Sequence, residues 1–137
     1  MATYNKFEGF VGYLGLGAIN CNTDTFKVYL TNNAPSASAD DVLADLAGLG
    51  TANGYTSGGT DMQNAYSESG GVGTLTATDV TWTASGGTIG PFRYAPYYDD
   101  THASDVLIGW WDYGSSITLA DGESFTVDFG ASVFTLT

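Results

Sequence analysis

Residues 90–129 constrain the fold most, because they combine an unbroken apolar run with regular alternation of apolar and polar residues. The run at 106–111 (VLIGWW) is apolar on both faces of an extended chain, which predicts a central strand covered on both sides. The runs flanking Asp121-Gly122 alternate, which predicts two strands with one core face and one exposed face. An Asp-Gly pair between them predicts a β-hairpin with a type I′ turn. We expect the rest of the chain to pack against this stretch.

Further short strands, separated by turn residues, are indicated elsewhere. Apolar and polar residues alternate from Phe26 to Thr31, which predicts the first strand. Between residues 74 and 84 the apolar positions change from odd to even numbers at Asp79, which predicts a β-bulge within one strand. We therefore predict a mainly β fold, a single antiparallel β-sandwich domain spanning 1–137. The pattern indicates a jelly-roll or Ig-like arrangement of about seven to eight strands, with one or two short helices near the N-terminus.

Two segments depart from this strand pattern. Within residues 1–20, apolar residues recur at three- and four-residue spacing, namely Tyr4, Phe7, Val11 and Leu14. This spacing predicts a helix beginning near Thr3, although the glycines inside it each disfavour a helix by up to about 1 kcal/mol. We expect an N-terminal docking segment whose helix depends on packing against the domain. Residues 48–73 predict a long Gly-rich loop with weak edge strands, and residues 40–46 predict one or two helical turns.

The balance of charges is strongly acidic. Fifteen acidic residues face three basic ones, for a net charge of −12. Such a chain repels phosphate backbones, so we do not expect nucleic-acid binding. No apolar run approaches the ~20 residues of a membrane-spanning helix, so we expect no membrane partner. The first residues lack the pattern of a secretion signal. The single cysteine, Cys21, excludes an intrachain disulfide and favours a reducing compartment during folding.

Few residues are suited to catalysis. His102 is the only histidine and lies in a polar segment without a neighbouring nucleophile, so we interpret it as a surface-loop residue. Cys21 lies between two asparagines and is interpreted as a small packing residue. The sequence has no His and Cys residues at zinc-ligand spacing. We therefore predict that the chain is not an enzyme and has no catalytic, metal-binding or cofactor-binding residues.

Loop carboxylates leave two alternatives open. Four aspartates could gather at one end of the sandwich: Asp99, Asp100, Asp105 and Asp112. They could form a calcium (Ca²⁺) site or an acid pair for glycoside hydrolysis. The spacing matches neither motif, and a solvated acidic loop is the simpler interpretation.

The aromatic residues suggest a further alternative, a carbohydrate-binding face, because flat rings stack on sugars. Trp110 and Trp111 point to opposite faces of one strand, so at least one of them should lie in the core. Phe92 and Tyr94 share a face, as packing residues do. Packing is therefore the favoured interpretation, and an aromatic residue left on the outer face could equally serve a subunit interface.

Several segments resemble, in the same order and over nearly the whole chain, a family of small structural proteins from tailed bacteriophages and prophages. The segments are MATYNKFEGFV, TDTFKVYLTNNAP, ANGYTSGG, VTWTASGGTIGPFRYAPYYDDT and LIGWWDYGSSITLADGESFTVDF. The part from Trp82 to Phe129 is the most specific. Members of the family are described as head decoration (cement) proteins or as tail-fibre proteins, and the resemblance implies no catalytic residues.

Decoration of the head is the function that we favour from this resemblance. A cement protein binds the outside of the capsid, commonly as a trimer, whereas fibre proteins are more often long and repetitive. This chain is short and unrepeated. The resemblance then implies synthesis in the host bacterial cytoplasm, a location on the outer surface of the virion, the major capsid protein as partner and a homotrimer. The alternative is a tail-fibre or tail-associated protein that binds a receptor or glycan.

Five aromatic residues are predicted to contact the shell or a neighbouring subunit. Three lie in the N-terminal docking segment, namely Tyr4, Phe7 and Phe10, and two in the Gly-rich loop, namely Tyr55 and Tyr66. Both segments depart from the strand pattern of the core, and long loops often carry contacts.

Overall fold

The computed structural model describes residues 2–137 and is mainly β. Its ten strands are β1 (Thr3–Lys6), β2 (Phe26–Val28), β3 (Thr60–Asp61), β4 (Ala65–Ser69), β5 (Val72–Thr76), β6 (Val80–Thr83), β7 (Ile89–Asp99), β8 (Val106–Leu119), β9 (Ser124–Val127) and β10 (Phe134–Leu136). One α-helix, α1 (Glu8–Gly15), and one 3₁₀ turn (Leu43–Asp45) precede β3. The mainly β fold with short helices near the N-terminus is confirmed.

The strands form three antiparallel sheets around one hydrophobic core. A five-stranded sheet has the order β1-β8-β7-β2-β3, a three-stranded sheet has the order β10-β5-β4, and β6 pairs with β9. The rings of Phe92 on β7 and Phe125 on β9 are 4.8 Å apart, which joins the five-stranded sheet to the β6-β9 pair. The sandwich is confirmed. It has more strands than expected because the N-terminal segment and the Gly-rich region contribute short edge strands.

The first half of β8 is the central strand that the sequence predicts. All six residues of 106–111 are buried, and β8 pairs with β1 on one side and β7 on the other. Trp110 lies 4.6 Å from the ring of Phe7, whereas Trp111 lies 5.2 Å from the ring of Phe129. Both tryptophans are therefore packing residues of the core, one on each face of the sheet.

The predicted hairpin at Asp121-Gly122 is wrong. Glu123 N–H donates to the carbonyl of Ala120 at 2.9 Å, which closes a β-turn, but only Gly122 has a positive φ (89°). This matches a type II turn rather than type I′. The turn leads from β8 into β9, which pairs with β6 in a different sheet. Turn chemistry locates the reversal of the chain, but it does not decide which strands pair.

The change from odd to even apolar positions at Asp79 also arises from strands that belong to different sheets. The structure has two strands there, β5 and β6, which belong to different sheets, instead of one bulged strand. Leu75 on β5 and Val80 on β6 are both buried in the shared core. The Asp79 carboxylate accepts a hydrogen bond from Phe129 N–H at 2.9 Å. The apolar residues change parity because the chain crosses between sheets.

The N-terminal docking segment is part strand and part helix. Tyr4 pairs with Trp111 in β1, and α1 begins at Glu8 rather than near Thr3. Phe7 N–H donates to the Ile108 carbonyl at 3.0 Å. Helix spacing therefore does not apply to residues 3–6, and Val11, expected on the buried face, is 54% exposed.

The Gly-rich region is more ordered than a long loop. It contributes the edge strands β3 and β4, and β4 forms a hairpin with β5. Gly70 and Gly71 connect them with φ values of 60° and 84°, which is the positive-φ pair of a type I′ turn. In the irregular part, the Tyr55 hydroxyl accepts a hydrogen bond from Leu30 N–H at 2.9 Å, which ties the segment to the core.

Candidate functional site

An open groove lies between the end of α1 and the three-stranded sheet; we call it the contact groove. It encloses about 410 Å³. Its lining has no charged residue and consists mainly of Leu14, Ile19, Asn20, Cys21, Tyr66 and Leu136. The groove is thus an uncharged, partly apolar surface on a chain whose net charge is −12.

Strand register produces one wall of the groove. Tyr66 on β4 and Phe134 on β10 both lie opposite Leu75 on β5, and Leu136 lies opposite Gly73, so these residues share a face. Leu75 is fully buried, whereas Leu136, two residues beyond Phe134 on β10, is 39% exposed. The Tyr66 hydroxyl occupies the space in which a side chain at position 73 would lie. The inner face of the sheet therefore extends past the core as an apolar wall.

Helix α1 forms the second wall. The ring of Phe10 lies 5.7 Å from that of Phe134, which fixes the helix against β10. One turn later Leu14 is half-buried and lines the groove. Beyond it Leu16, at the C-terminus of the helix, is 88% exposed. An exposed leucine beside an apolar groove increases the area available for a partner.

A tight turn at residues 20–24 forms the third wall; we call it the wall turn. The Asn20 side-chain carbonyl accepts hydrogen bonds from the N–H groups of Asn22 (3.0 Å) and Thr23 (3.1 Å). The Asn64 amide donates to the carbonyls of Cys21 (2.9 Å) and Asp24 (3.0 Å). Burial raises the pKa of the Cys21 thiol to about 11, so the thiol is neutral and the packing interpretation fits.

Behind the wall turn, the buried carboxyl group of Asp99 ends strand β7. Asp99 is fully buried, and its Oδ1 accepts hydrogen bonds from the N–H groups of Thr101 (3.0 Å) and His102 (3.3 Å). Its Oδ2 has no donor among residues 2–137. The ladder between β2 and β7 brings the Asp24 carboxyl close to Asp99, because Phe26, two residues after Asp24, pairs with Asp99. Burial, and then the neighbouring Asp24 carboxyl, raise the pKa of Asp99 to about 7.

The four loop aspartates singled out in the sequence do not form one site. Asp100 pairs with Lys27 at 3.2 Å, and Asp112 forms a bidentate pair with Arg93 (2.8 and 3.2 Å). Asp99 faces Asp24 instead. Within the described part of the chain, no three His, Cys, Asp or Glu side chains are grouped to hold a metal ion.

The five predicted contact residues fall into two groups. Phe7, Phe10 and Tyr55 are 0%, 3% and 2% exposed, so they belong to the core and cannot form an interface in the folded chain. Tyr66 lines the contact groove. Tyr4 is half-buried and its hydroxyl hydrogen-bonds to that of Tyr97 at 2.7 Å. Three of the five aromatic residues predicted as contacts are therefore core residues.

Two other predictions concern His102 and a carbohydrate-binding face. His102 lies half-buried in the loop between β7 and β8, with its ring 5.5 Å from that of Tyr13.

A second groove, of about 400 Å³, is lined by Trp111, Tyr113, Asp128 and Phe129 among others. Trp111 and Phe129 are only 8% and 4% exposed, so they offer little ring surface to a sugar. This geometry favours packing over carbohydrate stacking.

Comparison of the chain with protein-family models, curated proteins and solved structures found no match. Among residues 2–137, no helix has the length and apolar character needed to cross a membrane. We therefore take the contact groove as the candidate site and combine it with the resemblance carried by the sequence.

Proposed function

We propose that this protein is a structural component of a tailed-bacteriophage virion that binds the outside of the head and stabilises the shell. The observation that carries the proposal is the contact groove, an uncharged, partly apolar surface on a strongly acidic domain. The sequence resemblance supplies the class of assembly. A net charge of −12 supports a position outside the shell, where the chain does not meet packaged DNA.

The exposed side chains around the groove supply the driving force for docking. Two of the exposed large apolar residues of the described chain adjoin the groove: Leu136 (39%) lines it on β10, and Leu16 (88%) directly precedes Gly17, which lines it. Burying one such side chain completely contributes about 1.5–3 kcal/mol. A shell protein that covers the groove would therefore gain most of its binding energy from a small number of contacts.

The charge of the chain favours a different protein as occupant of the groove over a second copy. Each copy carries a net charge of −12, so two copies repel each other as they approach. Of the three basic residues, Lys27 and Arg93 are already in ion pairs, which leaves Lys6. A partner with an apolar patch bordered by basic residues would attract the acidic surface instead. We assign this role to the major capsid protein; the homotrimer stays a prediction.

A charge introduced at the rim of the groove should separate docking from folding. We expect Leu16→Glu to bind purified heads that lack the protein about ten- to a hundredfold more weakly, because a carboxylate replaces an apolar contact. Co-sedimentation with the heads measures the affinity. Ser115→Glu is the matched control, because Ser115 is exposed on β8 and lies outside the groove. Wild-type binding by Leu16→Glu, or equal loss in both variants, contradicts the docking surface.

Copy number in the particle tests the assembly itself. We expect hundreds of copies per virion, because decoration follows the repeated lattice of the shell. Quantitative mass spectrometry of purified virions, referenced to the major capsid protein, gives the number. A few copies per particle would instead support the tail-associated alternative and contradict decoration of the head.

A further inference from the structure

The wall turn is held against the end of β7 by two carboxyl groups. Phe26, two residues after Asp24, pairs with Asp99 in the β2-β7 ladder, which brings the turn and the strand end together. Asp24 N–H donates to the Asn20 carbonyl at 2.9 Å, and the Asp24 carboxylate accepts from Asn20 N–H at 3.0 Å. Any movement of Asp24 therefore moves Asn20, which lines the contact groove.

The buried oxygen of Asp99 needs a partner. Asp99 Oδ2 is buried without a donor, and the adjacent group is the carboxyl of Asp24. Two ionised carboxylates in this position would repel each other, and one of them would be a buried, unpaired charge. A proton between them converts the repulsion into a hydrogen bond, in which one carboxylic acid donates to the other carboxylate.

A calcium ion fits the site less well than a proton. Calcium takes six to eight oxygen ligands. Asp99 Oδ1 accepts hydrogen bonds from the N–H groups of Thr101 and His102, and Asp24 Oδ2 accepts one from Asn20 N–H. The Asn64 amide donates hydrogen bonds to two carbonyls of the turn. Within residues 2–137, no third acidic side chain joins Asp24 and Asp99 in a group that could hold a metal ion.

We propose that Asp24 and Asp99 share one proton and that this proton holds the wall turn in the position that forms the contact groove. Loss of the proton leaves two facing carboxylates, and their repulsion pushes the turn away from β7. Docking at the groove then becomes dependent on pH. This last consequence, and only this one, rests on the proposed function.

No neighbouring cation replaces the proton within the described chain. Lys27 on β2 is paired with Asp100, and His102 faces Asp99 with its backbone N–H. Cys21, the remaining titratable neighbour in the turn, is a neutral thiol. The pKa of Asp99 is raised, so the stabilisation by the proton is complete below the ordinary pKa of an aspartate, about 4, and is lost as the pH rises through about 7.

Nuclear magnetic resonance of the whole chain tests the pair. We expect the carboxyl carbon of Asp99 to show a titration step near neutral pH, and the amides of residues 20–24 to shift with it. In Asp99→Asn, the asparagine amide can donate to Asp24 permanently, so the amide shifts near neutral pH should disappear. Asp100→Asn is the control, because Asp100 is next in sequence and partly exposed, and it should leave the titration step of Asp99 in place.

Two results would overturn the proton-sharing pair. The first is titration of Asp99 below about pH 5, which would mean that it ionises without sharing a proton. The second is a Ca²⁺ effect: if millimolar Ca²⁺ at about pH 8 returned the amide shifts of the wall turn to their low-pH values, the pair would be a cation site.

Binding to heads then separates the pair from the proposed function. We expect wild-type binding to weaken about tenfold between about pH 6 and pH 8.5, and binding by Asp99→Asn to stay constant. Only in the wild type does the fraction of molecules with a formed groove depend on pH. If the titration of Asp99 near neutral pH is observed but binding to heads does not depend on pH, the pair stands and its link to docking fails. If neither protein binds heads at any pH, the proposed function fails.

Discussion

Replacement of Phe7 by alanine is expected to lower the free energy of unfolding by about 3–5 kcal/mol. Phe7 is fully buried between α1 and β8, with its ring 4.6 Å from that of Trp110. The cavity would open where β1, α1 and the central strand meet, so neighbouring side chains cannot easily fill it. Denaturant unfolding followed by tryptophan fluorescence measures the loss, and the slope of the transition checks that unfolding is still two-state.

Val11→Ala on the same helix is the matched control. Val11 is 54% exposed, so its replacement should change the free energy of unfolding by no more than about 0.5 kcal/mol. The pair of variants also separates two roles of the N-terminal segment. If Phe7→Ala kept wild-type stability but lost binding to heads, Phe7 would be a contact residue, as its sequence position suggests, and its assignment to the core would be wrong.

The sequence predicted elements whose pattern is local and strongly apolar. The run at 106–111 required burial on both faces, and the structure places it between β1 and β7. The mainly β class and the sandwich followed from alternating strands with turn residues between them. Near the N-terminus, by contrast, Tyr4 lies in β1, and Phe7, three residues later, lies between β1 and the start of α1. Their spacing imitates a single helix, so periodicity alone misplaced its start.

Pairing between distant segments could not be predicted in this way. The turn at Asp121-Gly122 was located correctly as a reversal, yet β9 pairs with β6, about forty residues earlier, and not with β8. The contact groove has the same character. Leu14, Tyr66 and Leu136 come from an N-terminal helix, an edge strand and the last strand, and only the register of β4, β5 and β10 brings them together. No local signal distinguishes them from ordinary core residues.

The acidic pair was missed for a related reason. Asp99 was considered with the acidic residues close to it in sequence, whereas its partner in space is Asp24, from the wall turn. The β2-β7 ladder sets this contact through the pairing of Phe26 with Asp99. The sequence places Asp99 at the end of a strand, but the burial of its carboxyl group depends on which turn packs over it.

A methyl group added at Gly59 is expected to be about as costly as the loss of a core aromatic residue. Gly59 has a φ of 81°, and a Cβ there would overlap the carbonyl oxygen of Val28 on β2. Since that atom belongs to the backbone of a buried strand, it cannot move away as a flexible side chain would. We expect Gly59→Ala to lower the free energy of unfolding by at least about 3 kcal/mol, from backbone strain together with the displacement of β3.

Gly71→Ala separates the two causes. Gly71 has nearly the same φ, 84°, but no atom lies within 4 Å of the position of its Cβ. It should lose only about 1 kcal/mol, the cost of placing alanine in a left-handed conformation. Amide hydrogen exchange locates the damage, because Met62 N–H donates to the Phe26 carbonyl at 2.9 Å just beyond β3 and should exchange faster in Gly59→Ala alone. Equal losses of stability in both variants would show that strain at a positive φ, rather than the close approach to β2, makes glycine necessary at position 59.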